Sequence, residues 1–267
     1  MSIKSLLAIP FARKAQKKVY QWAYKPHKTQ QKVLRKLIKK AKNTAFGKDH
    51  NFNQITSYSE FKQQVKISDY EGLRAYIDRV VSGEKDVLWK GKPLYFAKTS
   101  GTTSGAKYIP ITKESMPTHI KAAKEALLCY IAEKNDASFV NGKMIFLQGS
   151  PVLEILNGIK LGRLSGIVAH YVPQYLLKNR LPSWETNCIE DWDTKVDAIV
   201  EETIDEDMSV ISGIPSWVQM YFEKLINKTG KTISEIFPNF NFFIYGGVNF
   251  EPYKNKFEAL IGKKIDY

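Results

Sequence analysis

The stretch that most constrains this chain is Thr99-Ser100-Gly101-Thr102-Thr103-Ser104-Gly105-Ala106-Lys107-Tyr108-Ile109-Pro110. A hydrophobic segment, Pro93 to Ala97, leads into it, and eight of its twelve residues are Ser, Thr, Gly or Lys. Glycines permit turns closed to other residues and let the backbone approach an anion. Hydroxyls and free amides donate to phosphate oxygens, and a lysine adds a point charge. Each charge-assisted bond is worth roughly 1.5–3 kcal/mol, so about four or five of them would hold a triphosphate. The spacing Gly-x-x-x-Gly-x-Lys is not the Gly-x-x-x-x-Gly-Lys-Ser/Thr of a Walker loop. A flexible polar linker has a similar composition. Linkers do not usually sit between Tyr95-Phe96-Ala97 and Tyr108-Ile109-Pro110-Ile111, and that favours a phosphate loop.

The net charge of +13 belongs to one end of the chain. Met1 to His50 holds fourteen Lys or Arg and one acid, Asp49, whereas the remainder holds 26 of each sign. Phe11, Ala15, Val19 and Trp22 fall at helical spacing, and Val33, Leu34, Leu37, Ile38 and Ala41 repeat the pattern among lysines. Pro26 separates the two predicted helices. The simplest reading is an arm, residues 1–50, packed on a domain of residues 51–267 with its lysines in solvent. Binding to anionic lipid or to nucleic acid are the sharper alternatives. The apolar stripes are explained as well by core packing, so no nucleic-acid partner is expected and peripheral membrane contact stays open.

At 267 residues the chain can bury a substantial core as one large domain or two small ones. Cys129 and Cys188 have no metal or redox spacing, and the four histidines are scattered, so no metal site is expected. No apolar run approaches the ~20 residues needed to span a bilayer, and no leader pattern is read at the start. A cytoplasmic protein is the expectation.

Ser57-x-x-Glu60, Ser68-x-x-Glu71 and Thr232-x-x-Glu235 read as capping boxes. Helices are predicted over about Lys113–Asn135, Asp191–Glu206, from Pro215 past Leu225, and over Pro252–Ile261. Lys143–Leu147, Met208–Ile211 and Phe240–Tyr245 read as strands, with a last one from Lys264, and Gln148-Gly149-Ser150-Pro151 reads as a turn after the first. Gly158 to Tyr171 has no assignable period. Trp217 and Tyr221 read as core more readily than as pocket lining. Strands alternating with helices from Pro93 onward predict an α/β fold with a largely parallel sheet and flanking helices. Ligands in such folds bind beyond the carboxyl ends of strands. The loop, Gly213-Ile214-Pro215 and Gly246-Gly247-Val248 all follow predicted strands and could meet at one crevice.

The loop resembles the phosphate-binding loop of adenylate-forming enzymes. The form Thr-Ser-Gly-Thr-Thr-Ser-Gly-x-x-Tyr-Ile-Pro resembles, more narrowly, the auxin-responsive-promoter (Gretchen Hagen) family of acyl-acid amido synthetases, in its bacterial form. Gln30 to His50, ending Thr44-Ala45-Phe46-Gly47-Lys48, then Gly83 to Trp89, and Gly246-Gly247-Val248-Asn249-Phe250 extend the likeness over nearly the whole chain. The resemblance implies a ligase that joins a carboxylic acid to ATP as an acyl-adenylate and passes the acyl group to an amine, usually an amino acid. Carried over by position, Ser100, Gly101, Thr102, Thr103, Ser104, Gly105 and Lys107 would hold the β- and γ-phosphates, with Mg2+ bridging them. Gly246, Gly247 and Val248 would line the adenine and acyl pocket, although a strand-ending turn also explains the two glycines.

Family members are about twice this length and carry, past the segment matching Tyr267, an aromatic-x-Ala/Gly-Ser/Thr-Ser/Thr-Glu motif and a C-terminal domain with a catalytic lysine. The expectation is therefore an N-terminal portion, inactive by itself. A non-catalytic nucleotide-binding remnant or scaffold, or an acyl-CoA-ligase-like enzyme with a thiol acceptor, are the alternatives.

Overall fold

The computed structural model describes residues 3–99 and 106–267. Its strands, in chain order, are β1 (Tyr95–Thr99), β2 (Lys107–Ile111), β3 (Lys143–Phe146), β4 (Glu154–Leu156), β5 (Ile159–Gly162), β6 (Arg180–Leu181), β7 (Met208–Gly213) and β8 (Phe242–Tyr245). The helices of the first half are α1 (Ile3–Ala23), α2 (Pro26–Ala41), α3 (Ala45–Asp49), α4 (Tyr58–Gln64), α5 (Tyr70–Val81) and α6 (Met116–Lys134). Those of the second half are α7 (Leu164–Ala169), α8 (Gln174–Leu177), α9 (Trp184–Asn187), α10 (Trp192–Thr203), α11 (Pro215–Thr229), α12 (Ile233–Ile236) and α13 (Glu251–Ile261). None of the described helices is long and apolar enough to cross a membrane. The chain forms two compact units, residues 13–129 with 153–167, and residues 1–12 with 130–152 and 168–267.

The first unit holds a mixed sheet in the order β2-β1-β5-β4. Pro26 opens α2 at a position where its missing N–H costs no hydrogen bond. The far end of α2 packs Ile38 and Ala41 against Phe52 and Ile55. Thr44 then fixes the corner. Its Oγ1 donates to the Ala41 carbonyl at 2.7 Å and accepts from the Gly47 N–H at 3.0 Å. A Cβ at residue 47 would stand 2.1 Å from the Ala41 oxygen, so glycine is what lets α3 fold against the end of α2. Ser57 and Glu60 form the expected capping box on α4. At α5 the cap is Asp69, one residue later than the sequence pattern suggested. Its Oδ1 accepts from the Gly72 N–H at 2.9 Å, and a carboxylate beside the positive end of a helix outcompetes the Ser68 hydroxyl.

β1 runs antiparallel to β2, with Thr99 opposite Lys107, and parallel to β5, with Phe96 beside Leu161. Phe96, Ile159 and Leu161 bury against Val80 and Val87. The stretch without a legible period therefore supplies β5 and part of the β4–β5 hairpin. Those strands are three and four residues long, too short to display alternation, and β5 finds its partner far upstream.

The second unit holds a fully parallel sheet in the order β6-β3-β7-β8. Over both sheets four of the six pairings are parallel, in line with the expected largely parallel α/β fold. Val196, Ile199, Val218, Phe222, Leu225, Phe243, Phe257 and Ile261 are buried in one cluster, and each such side chain contributes about 1.5–3 kcal/mol relative to exposure. Asp191 caps α10, accepting from the Thr194 N–H at 2.9 Å. Two exposed acids of α10, Asp197 and Glu201, pair with Lys224 and Lys228 of α11. The strand expected from Lys264 is reduced to a single bridge, Phe242 to Asp266. The Asp266 carbonyl accepts from the Phe243 N–H at 3.0 Å and its N–H donates to the Asn241 carbonyl at 2.9 Å, and its carboxylate accepts from Lys134 Nζ at 2.6 Å and Tyr130 Oη at 2.8 Å.

Candidate functional site

The strands that flank the expected phosphate loop belong to the first unit. Ser100, Gly101, Thr102, Thr103, Ser104 and Gly105 lie outside the described residues, between β1 and β2. Thr99 and Lys107 face each other at the loop end of the β1–β2 hairpin. The loop therefore does not join a strand to a helix, as the alternation of elements suggested. It joins two antiparallel neighbours, with β2 pairing back onto β1 before α6 begins. Tyr70, at the start of α5, fixes the return strand. Its hydroxyl accepts from the Tyr108 N–H at 2.9 Å, and Lys107 Nζ stands 5.4 Å from the centre of its ring. The ring face attracts the ammonium without consuming its three N–H donors. Lys107 thus stays a donor for an anion while its position is constrained. Sequence reasoning missed Tyr70; its place just after the Asp69 cap was the only available signal.

The glycine pair belongs to the second unit. Gly213 at the end of β7 stands opposite Tyr245 at the end of β8. The carboxyl edge of the parallel sheet therefore brings Gly213-Ile214 beside Tyr245-Gly246. Leu147, which follows β3, joins the same edge by donating its N–H to the Ser212 carbonyl at 2.8 Å. A Cβ on Gly246 would meet nothing within 4 Å. Gly247 has φ +86°, the left-handed region that favours glycine, and a Cβ there would reach only Ile214 Cγ1 at 3.7 Å. Both glycines and Val248 are exposed. Open backbone of this kind can receive a flat ring, and a chain reversal alone also accounts for the φ of Gly247. No side chain caps the first turn of α11, which starts at the same edge.

Gln148 is a second residue that sequence reasoning passed over as a turn. It follows Leu147 at this edge, and its Nε2 is buried with no hydrogen-bond partner among the described residues. An amide donor held out of water costs about 1–3 kcal/mol when unmatched, so such a group marks a place where a polar partner fits. Tyr221 is fully buried in the core, its hydroxyl 2.7 Å from Thr203 Oγ1, and burial pushes its phenol pKa up. Trp217 stacks on Trp192 with centroids 4.2 Å apart. These contacts assign both to packing.

A cavity of about 540 Å³ in the first unit is lined by Lys40, Thr44, Asp86, Trp89, Lys90 and Glu114, with Trp89 Nε1 donating to Glu114 at 3.2 Å. It contains none of the residues expected to hold ATP. Among the described residues no group of His, Cys, Asp or Glu is arranged to hold a metal ion.

Comparison with known proteins extends these observations. The sequence profile of the GH3 family N-terminal domain matches residues 15–181. A jasmonoyl–L-amino acid synthetase of Nicotiana attenuata is 27% identical over 138 residues, 51% of this chain and 23% of that protein. An indole-3-acetic acid-amido synthetase of Arabidopsis thaliana, GH3.15, is 32% identical over 93 residues, 34% of this chain and 16% of the relative. The solved structure of the GH3.15 acyl acid amido synthetase superposes with a TM-score of 0.69 at 16% identity, covering 89% of this chain and 52% of that one. A second structure, of the GH3.15 enzyme in complex with 2,4-DB, gives a TM-score of 0.55 at 17% identity, covering 88% and 41%. The chain thus spans about half the length of the solved relative.

Proposed function

The chain belongs to the GH3 family, and on that premise we propose that it serves an ATP-dependent acyl-acid amido synthetase, gripping ATP while a carboxylate is activated. The observation that carries this reading is the family match over residues 15–181, which encloses the Ser/Thr/Gly loop and its lysine.

A carboxylate is a poor electrophile. Attack of its oxygen on the α-phosphorus of ATP expels pyrophosphate and gives an acyl-adenylate. An amine nitrogen then attacks the acyl carbon, AMP leaves with the bonding pair, and the nitrogen loses a proton to give the amide. Positioning and charge neutralisation are the protein's main contributions to such a reaction. In this reading Ser100, Gly101, Thr102, Thr103, Ser104 and Gly105 surround the β- and γ-phosphates, and Lys107, steadied by Tyr70, neutralises charge on the departing pyrophosphate. Gly246 and Gly247 offer bare backbone to the adenine, Val248 an apolar contact, and the orphaned Gln148 amide a donor to the nucleotide or acid. Mg2+ held by the phosphates would offset their remaining charge. The relatives named for jasmonoyl and indole-3-acetic acid amides support an apolar carboxylic acid as substrate and an amino acid as acceptor. Dependence on ATP supports a cytoplasmic setting.

The test is exchange of labelled pyrophosphate into ATP, run with a broad panel of carboxylic acids and read beside ATP binding. Acid-dependent exchange, by this segment joined to the C-terminal part of a family member, is the expected result for the ligase. Saturable ATP binding with exchange supported by none of the acids would reduce the function to nucleotide binding.

A further inference from the structure

The arm that carries the net charge also exposes apolar side chains. On α1, Lys14, Lys18 and Trp22 recur every four residues and so share a face, distinct from the one that buries Ala12. Trp22 is 53% exposed, and Tyr24, in the turn to α2, 78%. On α2, Val33 and Leu37 are 49% and 47% exposed beside Lys36 and Lys40, while Ile38 and Ala41 turn into the cluster with Phe52. Among the described residues, none of the lysines between 14 and 40 has an ion-pair partner. The single acid of the first fifty residues, Asp49, accepts a hydrogen bond from Tyr76 at 2.9 Å.

We propose that α1 and α2 form a docking surface for an anionic lipid bilayer. Charge decides against one rival. A second copy brings the same +13 to the contact and is repelled. Nucleic acid would match the lysines, but it offers Val33 and Leu37 no apolar environment. A lipid surface accommodates both kinds of side chain. Indole and phenol rings settle at headgroup level, aliphatic groups reach the acyl boundary, and lysine stems lie along apolar surface with their ammonium groups on lipid phosphates.

The experiment is flotation of the full chain with vesicles of phosphatidylcholine, with and without phosphatidylserine. Binding should require phosphatidylserine and weaken as salt rises. Tryptophan emission should shift to the blue on binding, and a Trp22→Phe variant should lose the shift. Each lysine near an anionic surface multiplies affinity by about five, so Lys14→Glu, Lys17→Glu and Lys18→Glu together should lower partitioning by roughly a hundredfold. Trp22→Ser with Leu37→Ser should weaken it severalfold at an unchanged melting temperature, since both side chains are exposed. Failure to bind phosphatidylserine vesicles would overturn the proposal. So would retention of duplex DNA without vesicle binding, concentration-dependent dimerisation without it, or vesicle binding indifferent to the Trp22/Leu37 pair.

Discussion

At the scale of single residues, the groups that matter most are those whose environment the sequence does not display. Gln148 was legible only as part of a Gln-Gly-Ser-Pro turn. Its buried amide becomes visible once β3 ends beside β7. Gln148→Leu removes an unmatched donor at similar volume. The melting temperature is expected to hold or rise, while affinity for ATP or for the acid falls about tenfold, the worth of about one hydrogen bond. Unchanged affinity for both, by titration calorimetry, would remove Gln148 from the site. Asp266 gives a pH prediction. The Lys134 hydrogen bond, and after it the Tyr130 hydroxyl and the charges of Lys134 and Lys264, hold its carboxyl below the ordinary value of 3.8. A depressed carboxylate pKa stabilises the fold fully above the ordinary value, and that stabilisation is lost as pH falls through the lower folded value. The melting-temperature gap between the native chain and Asp266→Asn should therefore be widest near neutrality and close in strong acid. The pair is partly exposed, so the gap should be small. A gap that does not change with pH would contradict the assignment.

At the scale of elements, caps and apolar periods were readable because they are local. Ser57, Asp191 and Thr232 start helices where the sequence shows a hydroxyl or carboxylate ahead of an apolar run. The slip from Ser68 to Asp69 shows the limit: two adjacent acceptors look alike until the helix dipole chooses between them. β4 and β5 were not readable, since short strands owe their existence to partners remote in sequence. The motif Thr44-Ala45-Phe46-Gly47-Lys48 acquires a physical reason in the α2–α3 corner. Gly47→Ala drives a methyl group into the Ala41 carbonyl. A loss of about 1–3 kcal/mol is expected, at the upper end because the obstruction is backbone. Equilibrium denaturation measures it, and a loss below about 0.5 kcal/mol, the range of a neutral surface change, would mean the corner relaxes freely.

At the scale of the whole molecule, alternation of strands and helices announced an α/β architecture, and it did not reveal that the strands divide between two sheets. Lys107 belongs to a mixed sheet and Gly246 to a parallel one, because β2 folds back on β1 where a single doubly wound sheet would have sent the chain into a helix. Half of the candidate site was legible as composition in the Ser/Thr/Gly loop. The rest, Tyr70 beside Lys107 and the unpartnered Gln148 amide at the edge of the parallel sheet, depends on surroundings that only the fold creates. The central claim is that the chain grips the phosphates of ATP through the Ser100–Lys107 segment. Its most direct test is calorimetric titration of ATP, and of inorganic triphosphate, into the 267-residue chain and its Lys107→Ala variant. Saturable binding of ATP, competition by triphosphate, and a loss of roughly 1.5–3 kcal/mol in the variant are expected, about ten- to a hundredfold in affinity. Absence of saturable binding, or equal affinity in the variant, would contradict the account.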